Sequence, residues 1–256
     1  ILKNTLFPVP LKGGYLGVDE WLENAKDRHV GQRCFILATG PSLNRIDRSK
    51  LSKEILIGVN GTYKLTDIQL TYFAYVSNWY WKHHVEGIRN VRCERRFIPT
   101  QYGELAAPVP TSWLNVFFPR YHTSDGHPLP VPSHFSLEPG KYIFSGGTVL
   151  YLCFQLAFYL GFQEVILLGV DHSYGKDDNK AKQHGGVKIQ LAGQDTAHFD
   201  KDYVPANISY HVDLDAMERG YEIAHKVFTT AGRRIVNASP GTQLTTFPRV
   251  AYDDLF

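Results

Sequence analysis

The chain has 256 residues, of which 43% are hydrophobic and 13% aromatic, with 27 basic against 25 acidic side chains. That much apolar material supports a packed core, so a disordered or low-complexity protein is excluded. A net charge of +2 supplies no broad field for nucleic acid, and none is expected as a partner. The chain opens at Ile1 rather than Met, which leaves room for a longer parent protein. Cys34, Cys93 and Cys153 are odd in number and form no C-x-x-C pair, so they read as reduced thiols in a cytoplasmic compartment. No basic start followed by an apolar stretch marks a signal peptide.

Residues 1–30 read as an entry arm, with Asp19 capping a helix that runs to Asp27. Residues 31–256 read as one domain. Arg33 to Ala38 is an apolar run without alternation, the pattern of a strand buried on both faces. Ser42 is a candidate N-cap for a short helix from Leu43 to Leu51. Ile55 to Val59 and Tyr72 to Val76 are further strands, Trp79 to Ile88 a helix, and Arg96 to Ile98 a strand. Eight of the fourteen prolines fall within 99–140, so that stretch is expected to be an insertion without long elements.

Order returns at Tyr142 to Gly147. The run Thr148 to Phe162 is 15 residues long, short of the ~20 that a bilayer demands, and carries Gln155, so it reads as a helix buried inside the domain. Glu164 to Val170 is the strongest strand. The polar, glycine-bearing stretch 175–197 reads as a mobile lid loop. Leu214, Met217, Tyr221, Ala224 and Phe228 follow the helical period in a helix from about Asp213 to Ala231, ended by Gly232. Arg234 to Val236 is the last strand.

Strands alternating with helices predict an α/β fold: a Rossmann-like, doubly wound and mainly parallel sheet. Ligands of such sheets bind at the carboxyl ends of the strands. Those ends carry Thr39-Gly40-Pro41-Ser42, Asn60-Gly61, Ser77-Asn78, Asp171-His172-Ser173-Tyr174 and Asn237-Ala238-Ser239. All are polar and rich in small residues. Gly40 to Ser42 and Ser145-Gly146-Gly147 both stand between a strand and a helix, where free N–H groups favour phosphate. Each can equally be a tight turn. There is no G-x-G-x-x-G, no P-loop and no G-x-S-x-G, so an ordinary dinucleotide fold, a P-loop enzyme and an α/β-hydrolase are not supported. Asp215, in Asp213-Leu214-Asp215, reads first as a helix-start acid rather than a metal ligand. Of eleven histidines, His172, His184, His198 and His211 lie in or near the polar loops, where a histidine can act as a general base. His198 has the densest polar and aromatic company.

Phe35-Ile-Leu-Ala-Thr-Gly-Pro-Ser-Leu-Asn-Arg-Ile-Asp47 resembles the opening of the bacterial metal-independent sialyltransferases. It also resembles the related family of motility-associated flagellin glycosylation factors and 6-hydroxymethylpterin pyrophosphokinases. The likeness continues through Gly58-Val-Asn60, Phe144-Ser-Gly-Gly-Thr148 and Gly161 to Asp171, and so spans most of 31–240. The resemblance implies a fold that binds a cytidine nucleotide-sugar. Gly40, Pro41 and Ser42 match the family's phosphate turn, Asn60 its asparagine after the second strand, Ser145 its Ser-Gly turn, and Asp171 the aspartate closing its Gly-Ile-Asp strand. Thr39 stands where the sialyltransferases have asparagine, and Val76 falls near another of their asparagines. Their phosphate-supporting tyrosines fall near Ser173, one place before Tyr174. Their catalytic histidine lies in a loop that here offers His198 and His211, of which His198 is preferred.

The leading expectation is therefore a glycosyltransferase that moves a sialic-acid-like or other acidic sugar from a CMP-sugar to the hydroxyl of a glycan acceptor. His198 or His211 would take the proton and Tyr174 would support the phosphate. Thr39, Gly40, Pro41, Ser42, Asn60, Ser145, Gly146, Gly147 and Asp171 would bind nucleotide and phosphate, without metal or cofactor. The alternatives are a pyrophosphokinase for a pterin-like alcohol, needing ATP and Mg²⁺ with Asp171 as metal anchor, and a non-catalytic nucleotide-sugar-binding module. A homo-oligomer, and a peripheral association with membrane through a lipid-linked acceptor, stay open.

Overall fold

The computed structural model describes residues 19–77, 81–102, 109–117, 134–173, 182–183, 186–190, 197–204, 209–212 and 214–256, with backbone alone for 182–183, 186–190 and 209–212. The unbroken apolar runs form strands. They are β1 (Arg33–Leu37), β2 (Leu56–Val59), β3 (Tyr72–Ala74) and β4 (Arg95–Pro99). A fifth, β5 (Thr111–Leu114), is followed after Asn115 by β6 (Val116–Phe117), which pairs parallel with β7 (Ile143–Phe144). Next come β8 (Glu164–Leu168), β9 (Lys182–Gln183), β10 (Gly186–Gln190), β11 (Ser209–Val212) and β12 (Arg234–Asn237).

The main sheet has seven strands in the order β12-β8-β1-β2-β3-β4-β5, and every ladder in it is parallel. The chain steps outward from β1 to β5, then returns to the other side of β1 with β8 and β12. The order therefore reverses between β1 and β8, the topological switch point of a doubly wound α/β fold. Alternate side chains of β1 serve two cores. Cys34 and Ile36 pack with α1 (Glu20–Asn24), α3 (Val149–Tyr159) and α4 (Leu214–Thr230). Phe35 and Leu37 pack on the other face with Leu43, Leu51 and Ile88, the last from α2 (Trp81–Arg89).

α3 explains its own composition. It lies in the interior, and Gln155, its one side chain with an amide, is fully buried. The Gln155 carbonyl accepts from the N–H groups of Ser136 (2.9 Å) and Phe144 (3.1 Å), and its amide donates to the carbonyls of Phe144 (2.7 Å) and Tyr151 (2.9 Å). All four of its bonding directions are used, so this polar group stitches β7 to α3 at no desolvation loss. Among the described residues no helix is long and apolar enough to cross a membrane.

Three local expectations change. Ser42 is no cap: it lies inside a 3₁₀ turn, Pro41–Arg45, that Gly40 precedes, and a second 3₁₀ turn, Arg48–Lys53, is capped by Asp47. The proline-rich stretch supplies β5, the edge strand of the main sheet. Arg96 holds it there. Its fully buried guanidinium donates to Thr111 Oγ1 (3.0 Å) and to the carbonyls of Ile88 (3.0 Å) and Val109 (2.9 Å), joining the end of α2 to the start of β5. The segment read as a lid loop contributes β9 and β10, which form a three-stranded antiparallel sheet with β11. The entry arm up to residue 18, residues 103–108 and 118–133 of the insertion and 175–181, 184–185 and 191–196 of the lid segment lie outside the described residues.

Candidate functional site

β1, β2, β3, β8 and β12 run parallel, so Thr39–Ser42, Asn60–Gly61, Ser77, Asp171–Ser173 and Asn237–Ser239 all leave the sheet at one edge. At the switch point the Thr39–Ser42 and Asp171–Ser173 groups meet directly. The Gly40 N–H donates to the Gly169 carbonyl at 2.8 Å. Both the Ser42 N–H (2.9 Å, to Oδ2) and the Ser42 hydroxyl (to Oδ1) donate to the Asp171 carboxylate. A Cβ on Gly40 would overlap the Gly169 carbonyl and come within 2.8 Å of the Asp171 carboxyl carbon, so only glycine lets the β1 and β8 loops approach this closely. Pro41 takes the first helical position. Ser42 is fully buried and Asp171 is 8% exposed. The turn does bind an anion, but the anion is the protein's own carboxylate. Behind it, the Gln243 N–H donates to the Asp171 carbonyl (2.8 Å) and the Val170 N–H to Ser239 Oγ (2.9 Å), tying the β12 loop to the same point.

The second turn is built differently. β7 runs parallel to β6 in a sheet of two strands, and Ser145 follows directly at its end. Gly146 and Gly147 then take left-handed backbone (φ 54° and 76°), and Thr148 caps α3 by accepting from the Leu150 N–H at 3.3 Å. A Cβ on Gly146 would strike the Tyr151 ring. Ser145 is 4% exposed, and its hydroxyl, buried at the start of an 11-residue helix, has no hydrogen-bond partner among the described residues. Asn60, at the end of β2, is also left-handed (φ 50°), and its buried Oδ1 likewise has none. Buried acceptors and donors without partners are rare and costly, and left-handed backbone at non-glycine positions gathers at functional sites.

His198 comes to this edge on a strap, residues 197–204. The Phe199 N–H donates to the Thr39 carbonyl (2.7 Å), Asn44 Nδ2 donates to the Phe199 carbonyl (2.9 Å), and Asp200 pairs with Lys64. Lys64 and its own bond to the Asp202 N–H hold the Asp200 carboxyl below its usual range, against the opposing effect of burial. The His198 ring lies 4.4 Å from the Tyr203 ring, and Tyr203 stacks on His84 at 4.9 Å. His84 is 2% exposed, and burial, then Lys64, push its pKa down to about 4. It is therefore neutral in the folded protein where an exposed histidine has begun to charge. The unfolded chain binds the extra proton between about pH 6.5 and 4, so stability is full above pH 6.5 and falls as pH drops to 4, by about 3 kcal/mol in all. Burial lowers the pKa of His29 as well, adding loss in the same direction. Urea unfolding at pH 7 and pH 4.5 checks this: His84→Phe is expected to flatten the slope, and an unchanged slope contradicts it.

Other assigned residues lie elsewhere. His211 is on β11, opposite Lys188, with its side chain outside the described residues; Tyr174 and Asn78 are also outside them. His172, left-handed at φ 52°, has Nε2 2.9 Å from Glu218 Oε1 on α4. Among the described residues no three His, Cys, Asp or Glu side chains are grouped to hold a metal ion. Sequence reasoning missed Lys64, Asp200 and Glu218, because nothing in their spacing couples residues so far apart. A hollow at the opposite, amino edge is lined by Gly31, Arg33, Glu164, Gly232, Arg233 and Arg234. Its arginines are already paired: Arg33 with Glu54 (2.5 Å), Arg234 with Glu164 (2.7 Å) and Arg233 with Asp27 (3.8 Å). Comparison with family models, with curated proteins and with solved structures found no match for this chain.

Proposed function

We propose that the protein is a glycosyltransferase that moves an acidic sugar from a CMP-sugar to an acceptor hydroxyl. The observation that carries this reading is the Ser145 hydroxyl, buried without a hydrogen-bond partner among the described residues, before two left-handed glycines that lead into α3. A buried hydroxyl and helix-start N–H groups form a seat for a phosphate. Asp171 takes up the donors of the other turn, so the phosphate seat is assigned to Ser145–Gly147, and the Gly40–Ser42 turn becomes a rigid brace between the β1 and β8 loops. Asn60 Oδ1 can accept from the ribose or base. The cytidine and the sugar class rest on the resemblance of the quoted motifs.

In the transfer, the acceptor oxygen gives its proton to His198 and bonds to the anomeric carbon. The bond from that carbon to the phosphate oxygen breaks, and its electron pair leaves with CMP. Donors at Ser145–Gly147 stabilise the phosphate as it takes up charge, which is where such groups act most strongly. The pyrophosphokinase reading asks Asp171 to hold a metal ion, yet both of its oxygens accept from Ser42.

Thermal unfolding with CMP, CTP and ATP, with and without Mg²⁺, tests the proposal. CMP is expected to stabilise the protein without metal, by about 2.7 kcal/mol at a hundred times its dissociation constant, and Ser145→Ala is expected to weaken that shift. Stabilisation by ATP with Mg²⁺ alone supports the kinase and overturns the proposal, as does no response to any of the three. Stabilisation by CMP without turnover of CMP-sugars leaves a binding module.

A further inference from the structure

The strap is seated on two glycines, and nothing in the transfer chemistry above explains why. Gly61 lies in the 3₁₀ turn Asn60–Lys64 after β2, and a Cβ there would stand 2.5 Å and 2.7 Å from two carbons of the Tyr203 ring. Gly87 lies in the middle of α2, where glycine costs roughly 1 kcal/mol relative to alanine, and a Cβ there would strike the Tyr63 ring. Each glycine admits one tyrosine face. Between the two tyrosines sits His84, with Nδ1 2.7 Å from the Tyr63 hydroxyl and its ring stacked 26° from parallel on Tyr203. The outer face of this ladder, Tyr63–His84–Tyr203, meets His198 at 4.4 Å and 48°. The Lys64–Asp200 pair and the Phe199–Thr39 bond fasten the strap on either side of the rings.

Resting on the reading of His198 as the base, we infer that Tyr203 is a positioning residue that fixes the His198 imidazole at the carboxyl edge, and that Gly61 is the seat that fixes Tyr203. Neither touches the reacting atoms. A histidine side chain turns about two torsions. A ring packed against it, itself clamped between a glycine surface and a buried histidine, removes much of that freedom. Preorganisation of this kind decides whether a base meets its proton, and a displacement of about 1 Å can cost ~10²-fold in rate. The ladder also accounts for two glycines in helical turns, and for a buried histidine whose charge would be costly.

The test uses the full chain labelled with ¹³C-histidine. The His198 ring resonance is identified by its loss in His198→Gln. Packing against Tyr203 places it in the ring-current field of an aromatic face. Tyr203→Leu and Gly61→Ala are both expected to move that resonance toward the position of a free histidine, while Tyr203→Phe keeps it. With a CMP-sugar donor, Tyr203→Leu and Gly61→Ala are expected to lower kcat by roughly 10–100-fold with donor KM unchanged, and Tyr203→Phe to restore it. An unmoved His198 resonance in both Tyr203→Leu and Gly61→Ala overturns the inference, as does an unchanged kcat. If the native protein turns over no CMP-sugar, the transferase reading fails, and the ring resonance alone then decides whether Tyr203 and Gly61 place His198. Gly61→Ala removes no group, so a well-dispersed spectrum from it separates misplacement from unfolding.

Discussion

His198→Gln is expected to cut transfer from a CMP-sugar by about 10²–10⁴-fold, the usual contribution of a positioned general base, while CMP still stabilises the fold. The separation of the two effects follows from the geometry. His198 rides on the 197–204 strap against Tyr203, whereas the proposed phosphate seat lies at Ser145, before the start of α3. Loss of the base therefore leaves the donor's anchor in place. A variant with native turnover removes His198 from the chemistry and leaves His211 or His172 to be tested in its place.

Asp171→Ala is expected to destabilise the protein by about 4 kcal/mol. The Asp171 carboxylate accepts from the Ser42 N–H at 2.9 Å and from the Ser42 hydroxyl, and Ser42 is fully buried. Hydrogen bonds to a charged group contribute roughly 1.5–3 kcal/mol each, and here both donors would be left without partners in the interior. The damage would spread, because the same loop receives the Gly40 N–H on Gly169 and the Gln243 N–H on Asp171. Asp171→Asn keeps one acceptor and is expected to lose about half as much. The opened turn has a further use: formate or phosphate should restore part of the stability of Asp171→Ala, since an exogenous anion can take the place of the missing carboxylate. Urea unfolding with and without these ions measures both effects. A loss under 1 kcal/mol, or no rescue, contradicts the view of Asp171 as an internal anion.

Much of the scaffold was legible because it rests on local pattern. β1 and β8 are apolar without alternation, as strands covered on both faces must be, and α3 is apolar all round because it lies in the interior. α4 shows the 3.6 period because one side only is buried. The edge strand β5 escaped notice: it is four residues long, follows Pro108 and Pro110, and depends on the buried Arg96, a residue with no local sign of its role. β9, β10 and β11 carry polar residues that read as loop, and only pairing between distant segments makes them strands.

The site divides in the same way. Polar residues at strand ends can be listed from sequence, since a parallel sheet gathers them at one edge. Which of them satisfy each other cannot be. Ser42 and Asp171 are 129 positions apart, yet the Ser42 N–H and hydroxyl both donate to the Asp171 carboxylate. Ser145 and Asn60 keep buried atoms without a hydrogen-bond partner among the described residues. Gly61 looks like an ordinary turn glycine until the Tyr203 ring is seen against it.

Amide chemical-shift mapping with CMP tests the assignment of the nucleotide to the carboxyl edge most directly. The largest shifts are expected at Gly146, Gly147 and Thr148, with smaller ones at Asn60, Gly61 and the His198 strap, and with Gly31, Gln163 and Gly232 at the amino edge undisturbed. Shifts centred instead on that amino-edge hollow, with the Ser145–Thr148 turn silent, contradict it.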